Sequence, residues 1–184
     1  HEGKKISSVI SWFTPAYTLK NYKDVIFNSS VPLWFINSLL IAVLVTAATI
    51  IVTAMAAYAL ALLPFKGSKF FLFYMILGMM VPGEATIISN YLTVGKWGIL
   101  DTYPVLIIPY LTSAMGIFLF RQFYMTFPMS LYESAKLDGC SNLRFIAKIL
   151  IPLTKSAIGA MAVYTFINAW NMYMWPLLVT GSND

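Results

Sequence analysis

From Val25 to Phe65 the chain carries no charged residue. A helix needs about 20 apolar residues to cross the hydrocarbon layer of a bilayer, and this run is longer than one crossing requires. A first span is therefore expected from about Pro32 to Leu63. Asn28, Ser29 and Ser30 offer caps before it, and Pro32 suits a first turn, where its missing amide would have no intrahelical partner anyway. Thr49, Thr53, Ala57 and Ala61 recur every four residues. Side chains that small, stacked on one face, let a second helix backbone approach closely.

The remainder is of the same kind. The 184 residues are 59% hydrophobic and 10% charged, with a mean hydropathy of +0.76, whereas soluble domains carry roughly a quarter charged residues. The fold class implied is an all-α membrane protein, a transmembrane helix bundle of about four spans. A basic turn from Pro64 to Lys69 precedes a second span that starts near Phe70 and breaks at Pro82-Gly83, where Glu84 appears. An ionised group at mid-bilayer costs roughly 2.5 to 3.5 kcal/mol on insertion scales. Glu84 thus has two readings, an interfacial helix cap or a place in an aqueous path. Asn90 to Thr102 reads as a loop. A third span follows from Tyr103 to Phe120, kinked at Pro109, and Arg121 marks the return to water. Lys155 can snorkel to the head groups, and Ser156 to Leu178 is long enough for a fourth span. Trp170, Tyr173 and Trp175 have the look of an aromatic belt at its far end.

Several functions have nothing to build on. Cys140 is the single cysteine and His1 the single histidine, which leaves metal and redox chemistry without ligands. The net charge of +5 is spread over short loops with no basic stripe of the kind that contacts nucleic acid. Glu84 is the only acid within the apolar spans, so an embedded enzyme would lack convergent groups. No G-x-x-x-x-G-K-[ST] loop occurs, and ATP would have to be hydrolysed elsewhere. A structural or assembly protein and a secondary transporter stay as alternatives, the latter on the Pro82-Gly83 break.

The polar stretch from Pro128 to Pro152 lies between the last two apolar runs. Ser130 followed by Glu133 has the form of a capping box and predicts a helix start. Leu131, Ala135 and Tyr132 fall on one side of that helix. Asp138-Gly139 ends it after about two turns, since glycine accepts a left-handed cap. A second helix can restart at Ser141 or Asn142 and run to a bend at Pro152. The result is a helix-turn-helix elbow, with apolar anchors in the centre and Glu133, Lys136 and Asp138 available for pairing with a partner's rim.

These residues resemble the signature E-A-A, three residues, G, nine residues, I-x-L-P of permease subunits of binding-protein-dependent ATP-binding-cassette importers. Glu133, Ala135, Gly139, Ile149 and Pro152 are in register with it; Ser134 stands where the pattern has Ala, and Ile151 where it has Leu. Further matches are N-S-L at Asn37 to Leu39, A-A-Y-A-L-A at Ala56 to Ala61 and F-K-G-S-K at Phe65 to Lys69. They continue with V-P-G-E at Val81 to Glu84, F-R-Q-F at Phe120 to Phe123 and W-N-M-Y-M-W-P-L at Trp170 to Leu177. Together they resemble the carbohydrate branch, with its maltose-type, multiple-sugar and glycerol-3-phosphate permeases.

The resemblance implies that the elbow is a cytoplasmic coupling helix docking on an ATPase subunit whose dimer closure drives alternating access. It assigns Glu133 to capping and an ionic contact, Ala135 to close approach, Gly139 and Asp138 to the turn, and Pro152 to the bend, and it counts Ser134 among the coupling residues. Glu84, Trp170 and Asn171 are candidates for the substrate path. Implied partners are a second homologous permease, an ATPase dimer that binds the ATP, an extracytoplasmic solute-binding protein, a sugar or polyol phosphate, and the lipid of the cytoplasmic membrane. The chain itself would hold no cofactor and no metal. Residues 1–31 would form an extracytoplasmic interfacial segment, 32–178 the transmembrane permease domain with its elbow at 128–152, and 179–184 an outer loop. Family members usually have a further span on each side, and the opening at His1 without Met points to a fragment of a six-span permease. Seven of the twelve Lys and Arg fall on the elbow side, which also places it in the cytoplasm.

Overall fold

The structure, a computed structural model, describes residues 19–181, and every regular element among them is helical. Residues 1–18 of the expected interfacial segment and 182–184 of the expected outer loop lie outside the described residues. The chain divides into two compact units, 1–37 and 38–184.

In the first unit, helix α1 (Lys20–Phe27) ends at the polar triplet. Ser29 Oγ donates to Val25 O (2.5 Å) and accepts from the Val31 amide (3.3 Å), so one hydroxyl closes α1 and opens the next helix. That helix, α2 (Val31–Leu62), continues into the second unit and matches the expected first span. Its 32 residues extend about 48 Å at 1.5 Å each, more than the roughly 30 Å of hydrocarbon. Among the described residues it alone is long and apolar enough to cross a membrane unaided.

The other long apolar stretches are bent pairs. Helices α3 (Ser68–Gly78) and α4 (Gly83–Lys96) meet at 101°, with Pro82 extended at the break. Helix α5 (Tyr103–Ile107), its 3₁₀ extension to Tyr110, and α6 (Ala114–Met125) meet at 50°. The segment Asn142–Leu153 and helix α10 (Lys155–Trp170) meet at 87°. Each pair is apolar enough to count as one span.

Four expectations are corrected. Asn90 to Lys96 is helical as part of α4, because no residue before Gly98 has to leave the right-handed region; the loop shrinks to 97–102, where Gly98 (φ 68°) and Asp101 (φ 56°) turn the chain. The third span does not stop at Phe120. Arg121 stays within α6 and its Nε donates to Leu60 O (3.3 Å), capping the carbonyl end of α2. The fourth span ends at Trp170, and a separate helix α11 (Met174–Val179) packs on α4 and α5. Trp175 is therefore core and not belt: it is 3% exposed, and its Nε1 donates to Val105 O (2.9 Å), the partner a buried indole needs.

The small-residue stripe is the seam of the second unit. Thr49, Thr53 and Ala57 are buried, and Thr49 Oγ1 donates to Tyr110 O (2.5 Å) at the break before α6. Opposite them lies Gly116 of α6. A Cβ there would fall 3.0 Å from Thr53 Cγ2 and 2.7 Å from the Met161 methyl of α10, so α2, α6 and α10 meet at this point and a larger residue would have to push the methionine aside and crowd Thr53. Around this point pack Tyr58, Ile117, Phe120, Tyr124, Leu150 and Ala157. Replacing Gly116 by Val should destabilise the bundle by about 1–3 kcal/mol through overpacking. A lowered melting temperature of the purified protein in detergent checks this. Gly159→Ala, where no atom lies within 4 Å, should leave it unchanged or raise it.

Candidate functional site

The elbow begins at helix α7 (Met129–Leu137). Pro128, extended at φ −59° and ψ 127°, is its first flanking residue and makes no side-chain cap; its carbonyl accepts the Leu131 amide (3.0 Å). The helix thus starts two residues earlier than the capping box requires. Ser130 lies inside the first turn and Glu133 in the second, so the reciprocal Ser130–Glu133 bonds do not form. Proline with its fixed φ sets this start without a capping hydroxyl.

The other end forms as expected. Gly139 takes φ 73°, its amide donates to Lys136 O (3.0 Å), and the Cys140 amide reaches back to Ala135 O (2.9 Å). This paired 6→1 and 5→2 bonding satisfies carbonyls the helix end would leave orphaned. Ser141 Oγ then accepts from the Arg144 amide (3.4 Å) and opens α8 (Asn142–Phe145). A π turn, Ile146–Leu150, and a short α9 (Ile151–Leu153) follow. Pro152 does not end the helix. The wider turn just before it accommodates the missing amide, and the 87° bend falls at Thr154, whose amide and Oγ1 both donate to Leu150 O (2.9 and 2.7 Å).

The turn of α7 sorts its side chains. Ala135 is buried and Tyr132 half-buried against Phe145, whereas Leu131 is partly exposed. Glu133, Ser134, Asp138 and Gly139 face outward, and Leu137 stands out most at 89% exposed, with Leu143 beside the restart also exposed. Lys136, expected at the rim, is instead turned inward: its Nζ donates to Asn142 Oδ1 and to Cys140 O (3.3 Å). The outer face is thus two carboxylates around an apolar point.

Toward the middle of the same unit a cavity of about 350 Å³ opens between α2, the 3₁₀ turn, the start of α6 and α10. Thr49, Tyr110, Ser113, Tyr164, Thr165 and Asn168 line it, and no charged residue does. The path candidates lie outside this lining. Glu84 is exposed in the first turn of α4, where a carboxylate suits the positive end of the helix dipole. Trp170 stacks on Phe166 (6.0 Å between ring centres), and Asn171 ends α10 with its Nδ2 donating to Ile167 O (2.9 Å). Tyr164 and Asn168, earlier on α10, escaped notice; their i, i+4 spacing in an apolar helix was the available sign.

These features define an all-helical membrane protein with a polar elbow at one end and a polar cavity among its helices. The family described as "Binding-protein-dependent transport system inner membrane component" matches residues 49–184. The chain is 35% identical over 179 residues to an sn-glycerol-3-phosphate transport system permease protein of Brucella abortus (strain 2308), covering 94% of this chain and 64% of that protein. Identity to the corresponding protein of Yersinia pestis bv. Antiqua (strain Antiqua) is 38% over 156 residues, 84% of this chain and 56% of that one. An arabinooligosaccharides transport system permease protein of Halalkalibacterium halodurans is 33% identical over 82% of this chain and 54% of its own length. Among solved structures, a bacterial ABC transporter that imports the acidic polysaccharide alginate superposes with a TM-score of 0.80 at 25% identity, over 88% of this chain and 57% of that one. The chain belongs to the binding-protein-dependent transport inner membrane components, the permease class of ABC importers, and spans between half and two thirds of the length of these relatives.

Two substitutions check the local geometry. Ser130→Ala should change stability by less than about 0.5 kcal/mol, since no cap is lost. Gly139→Ala meets no atom within 4 Å, so its cost is the left-handed backbone alone, about 1–2 kcal/mol. Amide exchange at Gly139 and Cys140 should accelerate roughly tenfold in that variant.

Proposed function

We propose that the chain is a permease subunit of an ATP-driven importer in the cytoplasmic membrane, crossing it several times and passing a sugar or polyol phosphate by alternating access. The observation that carries this reading is the outer face of α7: exposed Leu137 between Glu133 and Asp138, on a helix backed by core. A short amphipathic helix of this kind fits a groove on a partner. That partner is an ATPase subunit pair, which binds the ATP; the sequence itself has no phosphate loop. A second homologous permease and an extracytoplasmic solute-binding protein complete the assembly, as the family's name supports. Glu133, Ser134, Ala135, Asp138 and Gly139 make or shape the docking helix, and Pro152 belongs to the bend that leads from it to α10.

The cavity supports the substrate class. Hydroxyls of Thr49, Tyr110, Ser113, Tyr164 and Thr165 and the amide of Asn168 suit a polyhydroxylated solute, and the aromatic rings suit a sugar face. No Lys or Arg lines it, so the charge of a phosphate is met elsewhere along the path. Glu84, Trp170 and Asn171 lie along the continuation of that path in this reading. The relatives' transported solutes, glycerol 3-phosphate and arabinooligosaccharides, share this polyol chemistry.

Uptake of labelled solute into cells expressing the full-length permease tests both parts. Glu133→Ala should lower the uptake rate about tenfold, the effect of roughly 1.4 kcal/mol lost from the docking contact, and Gly139→Val should lower it further, with the protein still present in the membrane. Unchanged uptake in both would end the coupling assignment. Asn168→Leu should raise the solute concentration for half-maximal uptake roughly five- to thirtyfold, as a lost polar contact of about 1–2 kcal/mol requires.

A further inference from the structure

The inner side of the elbow carries a polar cluster that docking on α7 does not use. Asn142, the first residue of α8, holds two donors on one oxygen: Lys136 Nζ from α7 and the Tyr58 hydroxyl from α2 (2.8 Å). The Tyr132 hydroxyl lies 3.5 Å from that of Tyr58, and Lys136 Nζ sits 5.4 Å from the centre of the Tyr132 ring. Phe145 closes the group edge-on to Tyr132, at 5.2 Å and 85°. Tyr58 is 3% exposed. Helix α2 is thus tied at one carboxamide to two helices far along the chain, α7 and α8.

Packing alone does not call for this arrangement. A phenylalanine at position 58 would fill the same space among Ala135, Phe145 and Ile146; what the hydroxyl adds is a directional link to α8. Thr49, a lining residue of the cavity, lies about 14 Å back along α2 from Tyr58. An α-helix transmits displacement along its axis because every turn is hydrogen-bonded to the next. We infer that Tyr58 and Asn142 are positioning residues that clamp α7 and α8 to the end of α2, so that a push on α7 moves the cavity wall and not the elbow alone. This rests on the importer reading above.

The test uses the full-length permease assembled with its partner permease, ATPase pair and binding protein in proteoliposomes, and reads solute moved per ATP hydrolysed. Tyr58→Phe and Asn142→Leu should keep the ATPase bound and leave the solute concentration for half-maximal uptake unchanged. Solute moved per ATP should fall about fivefold, a loss of the size one hydrogen bond sets. Asn142→Asp, which keeps an acceptor for both donors, should stay within about twofold of the parent. An unchanged ratio in Tyr58→Phe and Asn142→Leu, with the parent complex coupled, would overturn the clamp and leave the importer reading intact. If Asn142→Leu does not assemble, Tyr58→Phe decides by itself. Failure of both to assemble would overturn it as well, since the cluster would then be packing. A parent complex that hydrolyses ATP without moving solute would sink the importer reading, and the clamp with it.

Discussion

Inside a hydrocarbon layer a backbone amide can donate only to its own protein, and every break in a helix exposes groups that water would otherwise satisfy. Two of the breaks in this chain, and the end of α2, fall where a side chain repairs them. Before α6, Ser113 Oγ accepts the Gly116 amide (3.1 Å) while Thr49 Oγ1 reaches across from α2 to Tyr110 O (2.5 Å). At the bend into α10, Thr154 donates twice to Leu150 O. Where α2 ends, the guanidinium of Arg121 and the hydroxyl of Ser68 both reach Leu60 O, at 3.3 and 3.4 Å. Threonine and serine are thus what satisfies the backbone at the bend before α6 and at the bend into α10.

The close seam between α2, α6 and α10 follows from the same economy. Without a hydrophobic drive between helices in lipid, association depends on how closely backbones can pack. Gly116 against Thr53 and Met161 provides that contact, and of the two threonines of the stripe Thr49 both packs and bonds while Thr53 packs through its methyl. Its consequence for function is geometric. Thr49 and Ser113, which repair the break before α6, also line the cavity, so the polar groups that make the bend tolerable are among those facing it.

Local signals carried much of this fold into the sequence. The span expected from Pro32 to Leu63 within the uncharged run matches α2 to within a residue at either end, the Pro82-Gly83 break falls between α3 and α4, and Asp138-Gly139 ends α7 as its glycine requires. What was not legible depends on tertiary partners. Arg121 reads as a boundary with water because nothing local shows that Leu60 O, far away in sequence, will accept its Nε. Trp175 reads as interfacial because the carbonyl that satisfies it belongs to Val105. The Ser130–Glu133 spacing is a true capping pattern, but Pro128 sets the helix start first. At the candidate site the outward residues of α7 could be read from spacing, whereas the inward turn of Lys136 could not, because Asn142 comes to it only once the chain reverses at Gly139.

That reversal is part of what holds so short a helix in place. Isolated helices of nine residues are marginal even with favourable composition, and α7 has nine. Its stability must come from outside itself. Ala135 is buried against the bundle and the paired bonds from Gly139 and Cys140 close the carbonyl end. The ring of Tyr132 is held between Phe145 and the Lys136 ammonium. Supported along one side in this way, a helix too short to be stable alone keeps its shape while its other face, with Leu137 at the tip, stays open to solvent.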